Sequence, residues 1–250
     1  NGLPTEHLIE RLKKVDSRKM PRHEFVKLCM QTIQEIKPEF IQPWIDLGIS
    51  CDYDTTYSTI DPHCTRVSQQ SFIDLYRKGL VYRKETPTTW CVKCQTAIAQ
   101  ADFENIEKES SFNEITFHDK EGKELIIATT RPELIPACVA LFAHPDDDRY
   151  RYLKGKTAVV PIFDYEVPIM YDESVAMDKG TGLMMVCTFG DKEDVEKWHT
   201  YDLDLRTVFT KTGKMNELAG KYEGMPILEA RKAITEDLKS SGALKDSTQI

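Results

Sequence analysis

Met177-Asp178-Lys179-Gly180-Thr181-Gly182-Leu183-Met184-Met185-Val186-Cys187-Thr188-Phe189-Gly190-Asp191-Lys192-Glu193-Asp194 joins a flexible Gly-Thr-Gly turn to an apolar run and then to a Gly-Asp-x-x-Asp helix start. The run Leu183 to Thr188 is short and bounded by glycines, so it reads as a buried strand. Asp191 and Asp194 lie one helical turn apart, on one face, at the mouth of whatever that strand lines. Paired carboxylates there suit a cation or a small donor-rich group. Capping and dipole complementation alone account for many such pairs. A second segment, Ala128-Thr129-Thr130-Arg131-Pro132-Glu133, places two hydroxyls and a fixed cation after another apolar strand. Together the segments suggest a polar pocket for an amino-acid-like group beside an anionic one.

Around these segments the pattern is one of short strands alternating with turns. Strands are expected at Leu80 to Tyr82, Glu114 to Phe117, Leu125 to Thr129, Val139 to Ala143, Thr157 to Phe163, Val167 to Tyr171, Leu183 to Thr188 and Thr207 to Phe209. Helices are expected after Gly190 and from Pro226 to Ser241. Such spacing suggests a compact mixed sheet or barrel. Before residue 80 the period is helical. Thr5 is the expected cap of a first helix, Pro21 opens a second, Pro38 a third and Asp61-Pro62 a fourth. The fold class is therefore mixed α/β, with expected domains at 1–105 and 106–250 and a polar linker over Glu104 to Asn113.

With 250 residues, 40% of them hydrophobic, the chain can build a sizeable core. The net charge of −8 excludes overall attraction to nucleic acid and leaves only local basic patches, such as Arg149, Arg151, Lys154 and Lys156. No apolar run approaches a membrane span, and no membrane partner is expected. Seven cysteines, with Cys29, Cys138 and Cys187 inside apolar runs, fit a reduced, cytoplasmic setting. The first and last residues read as cut from a longer chain.

Trp90-Cys91-Val92-Lys93-Cys94 is a CxxC turn. Three readings compete. Cys91 and Cys94 can form half of a tetrahedral zinc knuckle, a plain turn carrying two thiols, or a redox pair. A closed zinc site needs four ligands, and the sequence holds no second CxxC.

Several segments together resemble the class I aminoacyl-tRNA synthetases of the valine, isoleucine and leucine group, and most closely the valine-specific enzymes of archaeal type. Asn1-Gly2-Leu3-Pro4-Thr5-Glu6 is similar to that family's amino-acid-site segment. The run Trp90 to Ala99 is similar to its strand and zinc-knuckle motif. Thr129-Thr130-Arg131-Pro132-Glu133 with His144-Pro145-Asp146-Asp147 resembles the threonine-rich region of the inserted editing domain. Gly180-Thr181-Gly182 through Asp194 resembles that domain's second signature. The family's HIGH-like and KMSKS-like signatures, which carry ATP and adenylate chemistry, are absent from the sequence. Six positions depart from the pattern of bacterial relatives. Met185 and Cys187 stand where a Lys and a Thr occur, Phe189-Gly190 where an Ala-His pair occurs, Lys179 where an aromatic precedes the GTG, and Leu134 where a Thr follows the Arg-Pro-Glu.

The resemblance implies a helical remnant of the catalytic domain followed by a β-barrel-like editing domain with flanking helices. It implies an aminoacyl-tRNA deacylase that hydrolyses threonyl-tRNA(Val). Its partners would be the tRNA(Val) 3′ end and threonine as the edited residue, and the chain is expected to be a monomer. A hydrophobic pocket rejects an isostere with one added hydroxyl by only about 10², and valine against threonine in this very family is the standing illustration. A second, polar pocket repairs the error. On this resemblance Asp194 takes the substrate α-ammonium and Asp191 the threonine hydroxyl. Thr129 and Thr130 surround the scissile ester, and Arg131 holds the terminal adenosine or orients carboxylates. Editing itself needs no cofactor, zinc could sit on the incomplete Cys91–Cys94 site, and ATP serves only the parent synthetase. Two alternatives remain: an isoleucine-type enzyme that edits valine, and a non-catalytic tRNA-binding or zinc-knuckle module.

Overall fold

Helical period before residue 80 and strand period after it correspond to two compact units, 1–83 and 84–250, in a computed structural model that describes residues 3–99, 103, 104 and 106–249. Asn1 and Gly2 of the expected amino-acid-site segment lie outside the described residues, as does Asn105 at the expected domain boundary. The contact division falls earlier than residue 105 and puts the two-cysteine turn in the second unit.

The first unit contains α1 (Leu3–Lys13), α2 (Arg22–Asp46) and α3 (Pro62–Arg77). Thr5 lies inside α1 rather than capping it. The helices expected on either side of Pro38 are one helix of 25 residues, with Pro38 and Pro43 inside it. Each proline removes one backbone donor, but both are exposed, so the freed carbonyls face water and the helix survives. Asp61 caps α3 as expected, its carboxylate accepting Cys64 N at 2.8 Å. Among the described residues of this unit only Ile9, Phe25 and Thr32 are buried.

The second unit opens with a small hairpin, β1 (Trp90–Cys91) and β2 (Thr96–Ala97). A larger sheet follows, made of β3 (Ser111–Asp119), β4 (Glu124–Thr129), β5 (Cys138–Ala143), β6 (Thr157–Val159), β7 (Glu166–Tyr171) and β8 (Leu183–Cys187). Then come α4 (Lys192–Tyr201), α5 (Ile227–Ser240) and β9 (Leu244–Gln249). The order is β4-β3-β6-β7-β5-β8, with β9 added to the free edge of β3 beside β6. Only β5 and β7 are parallel. The two ends of the order, β4 and β8, pack against each other, so the sheet nearly closes into a barrel. Ser111–Asn113 belong to β3 and not to a linker.

Strand periodicity explains the core. Ile115, Phe117, Leu125 and Ile127 alternate inward from paired positions on β3 and β4. β5 is buried at every residue. Its second face, with Phe142, is covered by α4, whose Tyr201 ring lies 4.9 Å from that of Phe142. α5 buries Ala230, Ile234 and Leu238, a stripe at helical spacing. Three strand expectations change. Residues 80–82 form no strand, Thr157 to Phe163 shortens to Thr157–Val159 before a turn, and Phe209 makes only an isolated bridge to Met215. These short apolar runs have too few paired neighbours to extend. β9 carries no strand signal in the sequence, because Lys245-Asp246-Ser247-Thr248 has no apolar alternation; backbone pairing with β3 makes it a strand.

Candidate functional site

Where β4 and β8 meet, a cavity of about 440 Å³ opens. Thr129, Thr130 and Arg131 enter it from the end of β4, Met185 and Cys187 from β8, and Asp191 and Asp194 from the start of α4. The two segments singled out in the sequence, some sixty residues apart, are therefore walls of one pocket. Its volume lies in the usual range for a small-molecule site.

Asp191 and Asp194 have different environments. Asp191 is exposed and is the N-cap of α4, its Oδ1 accepting Asp194 N at 3.0 Å. Its second oxygen is not needed for the cap. Asp194 is 5% exposed and folds back so that Oδ2 accepts Gly190 N at 2.8 Å. A β-carbon at Gly190 would stand 2.5 Å from that oxygen and 3.1 Å from Leu134 Cδ1, so the close approach requires glycine. Burial raises the Asp194 carboxyl to about 7, with the Asp191 charge adding to the rise and the backbone amides of Gly190, Cys187 and Asp191 opposing it. The buried carboxylate of the pair is thus Asp194.

Arg131 ties the two walls together. Its Nη1 donates to Gly190 O at 2.6 Å and its Nε to Glu133 Oε1 at 3.2 Å. Glu133 is fully buried and also receives both Arg231 Nε and Nη2 from α5, at 2.8 and 2.7 Å. The Thr129 hydroxyl accepts Arg131 N at 3.0 Å, which leaves its proton free to donate. Arg131 therefore orients the Gly190 turn beneath the two carboxylates.

The Gly-Thr-Gly turn at the other end of β8 is pinned. Asp147, 4% exposed, holds Arg149 in a two-pronged ion pair, and Arg149 Nη2 donates to Met177 O at 2.7 Å. Tyr150 donates its hydroxyl to Thr181 O at 2.7 Å. Gly182 has φ +81°, and a β-carbon there would come 2.5 Å from Arg149 Nη2. On α4, Lys197 is buried, pairs with the Asp172 carboxylate and donates to Ser174 Oγ at 2.6 Å. Burial pushes the Asp172 carboxyl up, but hydrogen bonds from Lys197, Tyr201 and Ser174 outweigh it and hold it well below the usual range. Arg231, Tyr150 and Lys197 carry no signal in the sequence, and Glu133 and Arg149, visible there as a motif residue and a basic-patch residue, show no sign of the pairs they form. The partners in these bonds lie 23 to 98 residues away, and no local pattern announces them.

Cys187 is fully buried on the cavity wall opposite Cys138 of β5. Burial pushes its thiol well above the ordinary value, and Cys138 beside it adds to this. Cys29, the third cysteine expected inside, is only half-buried.

Cys91 ends β1 and Cys94 lies in the turn that follows, its N donating to Cys91 Sγ at 3.3 Å. Backbone donors from Cys94 lower the Cys91 thiol, as a metal-binding knuckle requires. Among the described residues no group of three or more His, Cys, Asp or Glu side chains could hold a metal. A zinc ion at Cys91 and Cys94 would thus find, among the described residues, two of the four ligands a closed site needs. No described helix is long and apolar enough to cross a membrane.

A family model described as tRNA synthetases class I (I, L, M and V) matches residues 1–230. The valine–tRNA ligase of Haloarcula marismortui is 46% identical over 99% of this chain and 28% of its own length. Those of Rickettsia prowazekii and Anaplasma marginale are 45% and 44% identical over the whole chain and 31% and 32% of their own lengths. The chain spans about a third of the length of these curated relatives. Among solved structures, the ternary complex of Agrobacterium radiobacter K84 agnB2 LeuRS with tRNA and LeuAMS aligns over the whole chain and 38% of its own, with 17% identity and a TM-score of 0.47. With a family match over 230 of its 250 residues, the chain belongs to the class I tRNA synthetases of the isoleucine, leucine, methionine and valine group.

Proposed function

We propose that the chain carries the editing site of a valine-specific tRNA synthetase and hydrolyses the ester of threonyl-tRNA(Val). One observation supports this above the rest. A carboxylate, Asp194, is buried in a 440 Å³ cavity that also gathers Thr129, Thr130, Arg131 and Asp191. A buried carboxylate raised to about 7 is unfavourable for folding and is suited to receive a cation. The α-ammonium of an aminoacyl ester supplies that cation and restores the ionised form. The uncommitted oxygen of Asp191 accepts the threonine hydroxyl. Valine offers no donor there and displaces water from an oxygen that it cannot pair, a penalty tempered by the exposure of Asp191.

Hydrolysis then proceeds by attack of a positioned water on the ester carbonyl. The bond from carbonyl carbon to ribose oxygen breaks, and that oxygen takes a proton. Thr129 and Thr130 orient the water and the ester, and the adjacent ribose hydroxyl assists. Positioning and charge placement carry most of the rate. Lacking the HIGH-like and KMSKS-like signatures, the chain makes no valyl-adenylate.

Leu134, Met185 and Cys187 give the cavity an apolar side. An isoleucine-type editor of valine needs such a wall, so the test includes both esters. The chain is incubated with threonyl-, valyl- and isoleucyl-tRNA and deacylation is followed. Preferential release of threonine, abolished in a folded Asp194→Ala variant, supports the proposal. Preferential release of valine transfers it to the isoleucine type, and 3′-end binding without turnover leaves a tRNA-binding module.

A further inference from the structure

β5 and β8 carry a pair of thiols that the proposed reaction does not use. Cys138 and Cys187 stand directly opposite each other in the antiparallel register, and both side chains join the same buried cluster. Thr188 N donates to Ala137 O at 3.2 Å, the bond that flanks them, so Cys138 and Cys187 form a non-hydrogen-bonded pair. In such a pair the Cα atoms stand about 4.5 Å apart and the side chains share one face. Disulfides accept Cα separations from about 4.4 to 6.8 Å, so the backbone already holds the two sulfurs within bonding range. The Cys138 thiol donates to Ala140 O at 3.7 Å, and its sulfur is left to meet the Cys187 thiol, with which it hydrogen-bonds. Both are free thiols. They differ in access: Cys187 lines the cavity, whereas Cys138 is buried behind it.

We propose that Cys138 and Cys187 are a peroxide-oxidisable pair whose closure as a disulfide disables the cavity. Hydrogen peroxide, small against a cavity of about 440 Å³, reaches Cys187 first. The Cys187 thiolate attacks one peroxide oxygen and the O–O bond breaks. The departing hydroxide takes up the thiol proton as water, and Cys187 becomes a sulfenic acid. The Cys138 sulfur then attacks the Cys187 sulfur, the S–O bond breaks, and a second water leaves with the Cys138 proton. The two thiols lose two electrons between them, and one peroxide is reduced to two waters. Burial keeps Cys187 protonated and makes the first step slow. Contact between the sulfurs lets the second step outrun further oxidation.

The new bond has a route to the carboxylates. The Cys187 N–H is one of the backbone donors to Asp194, and the turn carrying Asp191 follows at once. Most disulfides hold their Cα atoms about 5.5–6 Å apart, so closure pushes β5 and β8 apart by roughly 1 Å at this pair. The irregular register between Cys138 and Ala140 gives the strands room for that shift. The Cys187 amide is drawn off Asp194, and the cavity wall loses its thiol. The chemical step stands apart from the editing reaction; its effect on hydrolysis rests on that reading.

The chain is treated with hydrogen peroxide at mildly alkaline pH, unreacted thiols are alkylated, and peptides are mapped without reduction. A linked pair containing Cys138 and Cys187, two hydrogens lighter than its parts, is expected. Dithiothreitol should release it and Cys138→Ala should prevent it. That variant keeps Cys91 and Cys94, so it separates this pair from theirs. The Asp194 carboxyl, at about 7 in the reduced chain, should titrate higher by NMR after oxidation of the wild type and stay in place in Cys138→Ala. Threonyl ester hydrolysis should fall on the order of tenfold on oxidation, recover with dithiothreitol, and be spared in Cys138→Ala. Absence of the linked pair, conversion of Cys187 to sulfinic acid in its place, or a linked pair that leaves both the Asp194 titration and hydrolysis unchanged overturns the proposal. The two readings fail separately. A reduced chain that hydrolyses no ester, yet whose Asp194 titration moves when the bridge forms, removes the editing reaction alone.

Discussion

On the proposed reaction, Asp194 is the residue at which folding and function pull in opposite directions. Its carboxyl, ordinarily near 3.8, is raised to about 7 in the fold. Between those values the folded chain holds a proton that the unfolded chain has released, so stability falls as pH rises from about 4 through 7. Asp194→Asn keeps an oxygen for Gly190 N–H and removes the charge. At pH 8 it should raise the melting temperature by roughly 5 °C, shrinking to no difference near pH 4, while threonyl ester hydrolysis is lost. Thermal melts across that range test this, and a variant less stable than the parent at pH 8 refutes it. Asp191 makes a different prediction, since it is exposed and half engaged as a cap. Asp191→Ala should cost the α4 cap about 1 kcal/mol and reduce the ratio of threonyl to valyl deacylation rates. Loss of rate with the full preference kept assigns the reading of the side chain to Thr129 or Thr130.

At the scale of elements, the pocket depends on what holds β4, β8, α4 and α5 in register. Glu133 is fully buried between Arg131 and Arg231 and links α5 to the turn under the carboxylates. Removing one partner of a buried ion pair leaves the other charge uncompensated. Glu133→Gln should therefore destabilise the chain by roughly 3–5 kcal/mol in urea unfolding, and free Arg131 from the walls. A loss below about 1 kcal/mol would falsify the bridging role. Element boundaries followed from capping and alternation where these were strong, as at Asp61, Asp191 and β4. They failed at Pro38, where exposure lowers the cost of a proline inside α2, and at β9, where the partner strand rather than the side-chain pattern makes the strand.

Over the whole molecule, the described residues present a mixed α/β unit with a nearly closed sheet and a separate helical unit. Two outcomes belong to this scale. The chain should show no valine-dependent pyrophosphate exchange, because the signatures for ATP are not in its sequence; clear exchange refutes the division of labour proposed here. It should bind zinc weakly through Cys91 and Cys94, lost on Cys91→Ser, as expected of two ligands where four are needed. Metal analysis finding one tightly held zinc per chain would contradict the half-site.

Sequence alone determined the period of most segments, β9 and the run at 80–82 excepted, together with the class of the fold and the family. It did so because alternation, capping residues and short motifs such as Thr129-Thr130-Arg131 and Asp191-x-x-Asp194 are local properties of the chain. It also brought forward the residues that the cavity gathers. The tertiary structure decided which of the two carboxylates is buried, and it did so through a contact, Gly190 N to Asp194 Oδ2, made possible by a missing β-carbon. It also decided that Arg131 is a clamp, through Glu133 and the distant Arg231. Burial, ion pairing and a shifted proton affinity are properties of neighbours far apart in sequence, and only a folded chain supplies the neighbours.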